Sequence, residues 1–170
     1  MSRAISSLLD AGAERIALPC NTLHALLPEV GAAQGGGLDG RLLSMPALVA
    51  DALGPAESVL VLGTTATREY GVYDFLRDRG VDVRYPSRAR QRELEDLIMS
   101  AVRGRTREVR AGLERVVDGD TADAVVIACT DLDVQDLTTL AGAPVVGSLA
   151  ELSRHCADYL VGARPAEAVR

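Results

Sequence analysis

The sequence predicts an α/β fold with a mainly parallel sheet, and three observations carry that prediction. Short apolar runs, among them SVLVLG at 58–63, ADAVVIA at 122–128 and PVVG at 144–147, alternate with longer segments of helical period. The apolar residues are aliphatic. Hydrophobic residues make up 48% of the chain but aromatic ones only 3%, and strands buried on both faces draw on Val, Ile, Leu and Ala. Glycine or proline punctuates most changes of period. At 170 residues the chain suits one domain or two small lobes with a substantial core.

Taken in order, Ile5 to Ala11 reads as a helix stopped by Gly12, and Arg15 to Leu18 as a short apolar run ended by Pro19. Asn21 and Thr22 offer caps for a helix through Leu27. Residues 31–40, GAAQGGGLDG, contain five glycines and read as a loop. Pro46 to Leu53 is the next helix, and SVLVLG the first long buried strand. Thr67 to Arg79 carries apolar residues at helical spacing and is closed by Gly80, a residue suited to a left-handed stop. VDVRYP at 81–86 is a strand halted by proline. Two helices, Gln91 to Val102 and Thr106 to Val117, flank Gly104, and an Asp118–Gly119 turn leads into ADAVVIA. PVVG is the last strand and residues 149–161 a closing helix.

Composition narrows the chemistry. All 18 basic side chains are arginine, and without lysine neither a pyridoxal-phosphate Schiff base nor a Walker-type phosphate loop can form. The net charge is −6 and no basic stretch occurs, so neither nucleic acid nor an anionic membrane is the expected partner. Apolar runs fall short of the ~20 residues of a membrane span, and the N-terminal stretch lacks the layout of a signal peptide. A cytoplasmic location follows as the expectation. Three widely spaced cysteines, Cys20, Cys129 and Cys156, suit reduced thiols better than a disulfide framework. No metal site is expected, because two histidines and scattered cysteines supply no paired ligand set.

Two segments correspond without a gap. AERIALPCNTL (13–23) and ADAVVIACTDL (122–132) share three identical positions of eleven, and in each a cysteine follows a strand and precedes a helix. Ligands of open α/β sheets bind at such strand ends. A helix N-terminus there offers free N–H groups and positive potential, which favour a thiolate and hold a carboxylate. Two facing units would set two thiols around one anionic ligand.

The motifs PCNTLH (19–24), GTTATREYGVY (63–73), RG-VDVRYP (79–86) and ACTDL (128–132) resemble, in order and spacing, the aspartate/glutamate racemase superfamily of cofactor-independent enzymes. The likeness runs from Leu8 to about Gly162. It implies two pseudo-symmetric lobes with mainly parallel sheets flanked by helices. Residues 1–53 with 148–170 would form the first lobe, 54–147 the second, and the active site would lie between them. The implied activity is racemisation or epimerisation of an amino acid, aspartate- or glutamate-like or polar, without a cofactor. Cys20 and Cys129 would form the acid/base pair, one thiolate removing the α-proton and the other thiol returning one to the opposite face. Asn21, Thr22, Thr64, Thr67 and Thr130 would bind the substrate's carboxylate and amine. His24, Asp131 and Arg107 are auxiliary candidates, with Arg103 beside the last. A small-molecule carboxylate is the implied ligand, and a homo-oligomer, a dimer first, the implied assembly.

Each residue also has a plainer reading. The cysteines could be small buried hydrophobes, which is the expectation for Cys156. Asn21, Thr22, Thr64 and Thr67 could be helix caps, His24 could orient a loop, and Arg107 could be a solvated surface charge. The chain departs from the family at three points. The opening strand, helix and strand that precede the C-N-T unit are missing from this sequence, Asp131 replaces the usual glutamate, and Gly147 stands where an aspartate often follows the last strand. These departures keep two other functions open: a different proton-transfer, isomerisation or cyclisation reaction by the same thiols, and a non-catalytic binding or assembly module.

Overall fold

The computed structural model describes residues 1–33, 38, 40–133 and 137–162. Its centre is a five-stranded sheet in the order β4 (Asp82–Arg84), β3 (Ser58–Leu62), β5 (Ala124–Ile127), β7 (Ala143–Gly147) and β6 (Thr139–Leu140). The first four run parallel. Successive side chains of a strand point to opposite faces, and both faces here are apolar. Leu60, Leu62, Val125 and Ile127 meet the helices α6 (Arg88–Val102) and α7 (Val109–Val117) through Leu94, Ile98, Leu113 and Val116. Val59, Val61, Ala124 and Val126 face the other way, onto Val49 of α4 (Met45–Ala52) and onto Tyr73 and Leu76. Fully burying side chains of this size stabilises by roughly 1.5–3 kcal/mol each, which makes this sandwich the main store of stability.

A second, smaller body carries the chain's beginning. β1 (Ile16–Ala17) pairs in parallel with β2 (Leu42–Leu43). Beside them α1 (Ser2–Asp10) and α3 (Leu27–Ala33) bury Ile5 and Val30 against Ile16 and Leu38. The closing helix α8 (Ser148–Leu160) packs Leu152 on Leu43 and Met45, with Cys156 half-buried at the edge of that cluster.

Several elements differ from the sequence reading. The helix expected to continue from Asn21 to Leu27 is two: α2 (Asn21–His24), a turn, and α3. Proline is tolerated in the first turn of a helix, and Glu29 suits that end, so Pro28 starts α3 rather than preventing it. The loop expected at 31–40 therefore begins later, since Gly31 to Ala33 are helical; positions 34–37 and 39 lie outside the described residues. The helix expected over Thr67–Arg79 is α5 (Thr65–Glu69) followed by a 3-10 turn, Asp74–Arg79. Gly71, at φ +60°, ends α5: the N–H of Val72 reaches back to Thr67 O (3.2 Å) and that of Gly71 to Arg68 O (3.0 Å), the two bonds of a Schellman stop. The predicted stop at Gly80 is present, at φ +83°. α6 starts earlier than Gln91, because Ser87 caps it by accepting from the N–H of Arg90. Thr106 to Glu108 form a 3-10 turn ahead of α7. β2 and the antiparallel β6 went unread, the latter joined to β7 by the two left-handed residues Ala141 (φ 47°) and Gly142 (φ 84°).

Candidate active site

β3 and β5 pair in parallel and end side by side, and the residues just beyond them, with those just beyond β1 of the smaller sheet, form the candidate site. Pro19 ends β1's run, and the N–H of Cys20 folds back onto Leu18 O (2.8 Å). Cys20 is the half-buried N-cap of α2. Beyond β5, Cys129 is 7% exposed, and its Sγ lies 3.9 Å from Asp131 Oδ2. Beyond β3 comes Gly63, where a side chain would press on Ala128 and on Thr67 within 3.1–3.2 Å. That close approach keeps the Thr64 and Cys129 junctions in contact.

The two bodies are joined through hydroxyls. Thr22 Oγ1 lies 3.1 Å from Thr64 Oγ1 and 3.1 Å from Thr67 Oγ1, and these two are also 3.1 Å apart. Each hydroxyl can donate once and accept twice, so the triangle can be satisfied as a ring. Thr64 additionally caps α5 by accepting from the N–H of Thr67. Thr67 is 1% exposed and holds the other two threonines from behind.

Asn21 does not cap a helix. Its Nδ2 donates to Ser148 Oγ (2.8 Å) and its Oδ1 accepts from Tyr73 OH (2.6 Å), with all three side chains buried. One amide hydrogen of Asn21 is left outside these bonds. His24 Nε2 accepts from the N–H of Met45 (3.1 Å), which places the ring proton on Nδ1, donating to Cys20 O (2.8 Å). His24 therefore holds the backbone of Cys20 rather than its thiol. Burial lowers its pKa, against the smaller opposing pull of the Cys20 and Leu43 backbone, so the ring rests neutral.

Burial also pushes the Cys129 thiol up to about 11; the nearby N–H groups of Asp131 and Leu132 pull it down, while the Asp131 carboxylate and the Cys20 thiol raise it further. The last of these effects places the Cys20 thiol within electrostatic reach of Cys129. Thr130 is half-buried next to Cys129, and Asp131 is exposed. Arg107 stands exposed in the turn between α6 and α7, and among the described residues no hydrogen bond or ion pair joins it to the cleft. A cavity of about 590 Å³ opens nearby, lined by His24, Pro46, Tyr70, Phe75 and Arg79, but it contains neither cysteine. Among the described residues no cluster of three or more His, Cys, Asp or Glu is arranged to hold a metal ion.

Four residues of this site went unread in the sequence. Tyr73 and Ser148 buttress Asn21. Glu95 accepts from the N–H of Thr65 at the start of α5. Asp133 accepts from the N–H groups of Leu149 (2.6 Å) and Ala150 (3.2 Å). Tyr73 closes the GTTATREYGVY motif and so carried a signal; the others are brought in by long-range folding.

A parallel sheet flanked by helices carries one cysteine ahead of the short α2 and the other, Cys129, ahead of a turn at 130–133 where the sequence predicts a helix; this defines an α/β protein whose candidate site lies at strand ends. The chain belongs to the Asp/Glu/Hydantoin racemase family, whose profile matches residues 1–157. Among solved structures it is similar to Picrophilus torridus aspartate racemase, at 26% identity and TM-score 0.77 over 95% of this chain and 68% of that one. A putative Asp/Glu racemase from Yersinia pestis is alike at 26% identity and TM-score 0.74, over 94% of this chain and 72% of that one. Glutamate racemase from Francisella tularensis shares the fold at 13% identity and TM-score 0.66, over 95% of this chain and 62% of that one. A sequence comparison with curated proteins returned no match.

Proposed function

We propose that this protein is a cofactor-independent racemase or epimerase of an amino acid, aspartate- or glutamate-like or polar, working by proton transfer at Cα between Cys20 and Cys129. The observation that carries the reading is the joining of the two cysteine junctions: Thr22, two residues from Cys20, is hydrogen-bonded to Thr64, and Gly63 before it packs closely on Ala128 before Cys129. Racemisation through a planar carbanion needs a base on one face and an acid on the other, and two thiols of different surroundings supply both. Cys129, shielded from water, rests as the thiol and is the proton donor. Cys20, half-exposed, takes the α-proton on the other face. The sulfur roles reverse for the opposite enantiomer.

The substrate carboxylate and amine meet Thr22, Thr64, Thr130 and the remaining amide hydrogen of Asn21, while Thr67 holds the first two in place. Asp131 orients the Cys129 junction. Residues 1–53 with 148–170 act as one lobe and 54–147 as the other. The proposal is completed by a homodimer, which light scattering tests, and by a cytoplasmic setting. No helix of the described residues is long and apolar enough to cross a membrane.

The test is solvent exchange. Incubation with aspartate, glutamate and a broad amino-acid panel in heavy water should place deuterium at Cα of at least one, and Cys20→Ser and Cys129→Ser should each abolish it. Activity surviving in either variant overturns the two-thiol mechanism. No exchange with any amino acid overturns the racemase reading and favours a binding or assembly module.

A further inference from the structure

Gly147 has an ordinary backbone, φ −88° and ψ 122°, that any L residue adopts. Backbone freedom is therefore not what glycine supplies here. The reason is space: a Cβ on Gly147 would lie 2.3 Å from Asp133 Oδ1 and 2.6 Å from Oδ2, far inside van der Waals contact. The Asp133 carboxylate occupies the room of the missing side chain, and from there it accepts from the N–H groups of Leu149 and Ala150 in the first turn of α8. A helix normally takes such a cap from its own N-cap residue. α8 takes it from a residue four positions beyond Cys129.

The same turn also holds the other cysteine junction. Ser148, fully buried, accepts from Asn21 Nδ2, and Asn21 is the residue after Cys20. Tyr73, also fully buried, donates to the other end of Asn21. α8 is a firm base for both, because Leu152 is packed on Leu43 and Met45. One helix turn thus grips the Cys20 junction through Ser148 and the Cys129 junction through Asp133.

We infer that Asp133 is a positioning residue: seated in the space left by Gly147, it ties the Cys129 junction to α8 and so sets where Cys129 stands relative to Cys20. Its consequence for catalysis rests on the two-thiol reading above; its consequence for structure does not. A group acting only as a helix cap can be replaced by any local cap. A tether between two loops cannot, and this difference makes the inference testable.

The experiment compares the full-length chain with Asp133→Ala and with Asp133→Ala/Gly147→Asp, which returns a carboxylate to α8's own N-cap without reconnecting the Cys129 junction. Asp133→Ala should lower kcat for Cα–deuterium exchange on the order of 10- to 100-fold, the scale of a misplacement near 1 Å, with KM changed much less. Peptide-level amide exchange should quicken both at the start of α8 and in residues 129–132. In the double variant the start of α8 and the unfolding midpoint should recover, while kcat and the protection of 129–132 should not. Recovery of both in the double variant, or wild-type protection of 129–132 in Asp133→Ala, overturns the inference. Should no amino acid exchange at Cα, the racemase reading falls, and the amide pattern alone still decides whether Asp133 is the tether.

Discussion

Replacing Cys129 by alanine should change how the protein's stability depends on alkaline pH. Burial raises this thiol from an ordinary 9.0 to about 11, because a thiolate at a site 7% exposed loses most of its hydration. The folded pKa lies above the unfolded one, so the contribution is complete below pH 9 and is lost as pH rises through 11. In that window the unfolded chain has released the proton and the folded chain still holds it. Linkage gives a loss of about 1.4 kcal/mol at pH 10 and about 2.7 kcal/mol once both states have ionised. Alanine also removes packed sulfur, but that effect is the same at every pH. Urea unfolding of wild type and Cys129→Ala at pH 7, 8, 9 and 10 measures the difference. The gap between the two should shift by about 1.3 kcal/mol in the variant's favour between pH 8 and 10. A thiolate absorbance titration, wild type minus variant, should have its midpoint near 11. Parallel stability curves, or a midpoint at or below 9, would refute the claim that Cys129 rests as a protonated donor.

Three further outcomes are expected. Thr67→Val keeps the shape of a side chain that is 1% exposed but strips the hydroxyl from the threonine triangle, and should lower stability by about 1–2 kcal/mol in chemical denaturation. His24→Ala should be more damaging at pH 7 than at pH 5: the folded pKa is depressed, so the neutral ring's contribution is present above about 6.5 and lost as pH falls below it, and urea midpoints at the two pH values test this. Gly112→Val should destabilise by roughly 1–3 kcal/mol, because a Cβ there meets the Leu97 methyl groups at 2.7–2.8 Å and must push that side chain off its rotamer; thermal unfolding would show it, and an unchanged midpoint would mean that Leu97 turns aside without penalty.

The hydroxyl triangle and the Asn21 network also revise what the individual residues do. Read alone, Asn21, Thr22 and Thr64 are the residue types of helix caps and of substrate contacts alike. Only Thr64 is a cap. Thr22 spends its hydroxyl on Thr64 and Thr67, and Asn21 spends most of its amide on Ser148 and Tyr73. The site is thus largely held together by its own polar side chains, with few donors left for a ligand. Such a network defines ligand position closely, since moving one member leaves another unsatisfied in a buried setting.

The strands β3 and β5, the stops at Gly12 and Gly80, and the placement of both cysteines after strands were legible in the sequence, because each is dictated by local periodicity or by one residue's backbone preference. So were the motifs that mark the family. The break at Gly71 was legible too, though the apolar spacing of 67–79 outweighed it. What only the tertiary structure decided lies between elements: the antiparallel β6, the pairing of β1 with β2, and the tie from Asp133 across the empty Cβ position of Gly147. The physical reason is that local free energies select helix, strand or turn within a few residues. Which loop's carboxylate caps which helix, and so how two thiols are spaced, depends on contacts 14 to 127 residues apart that exist only once the sheet has formed.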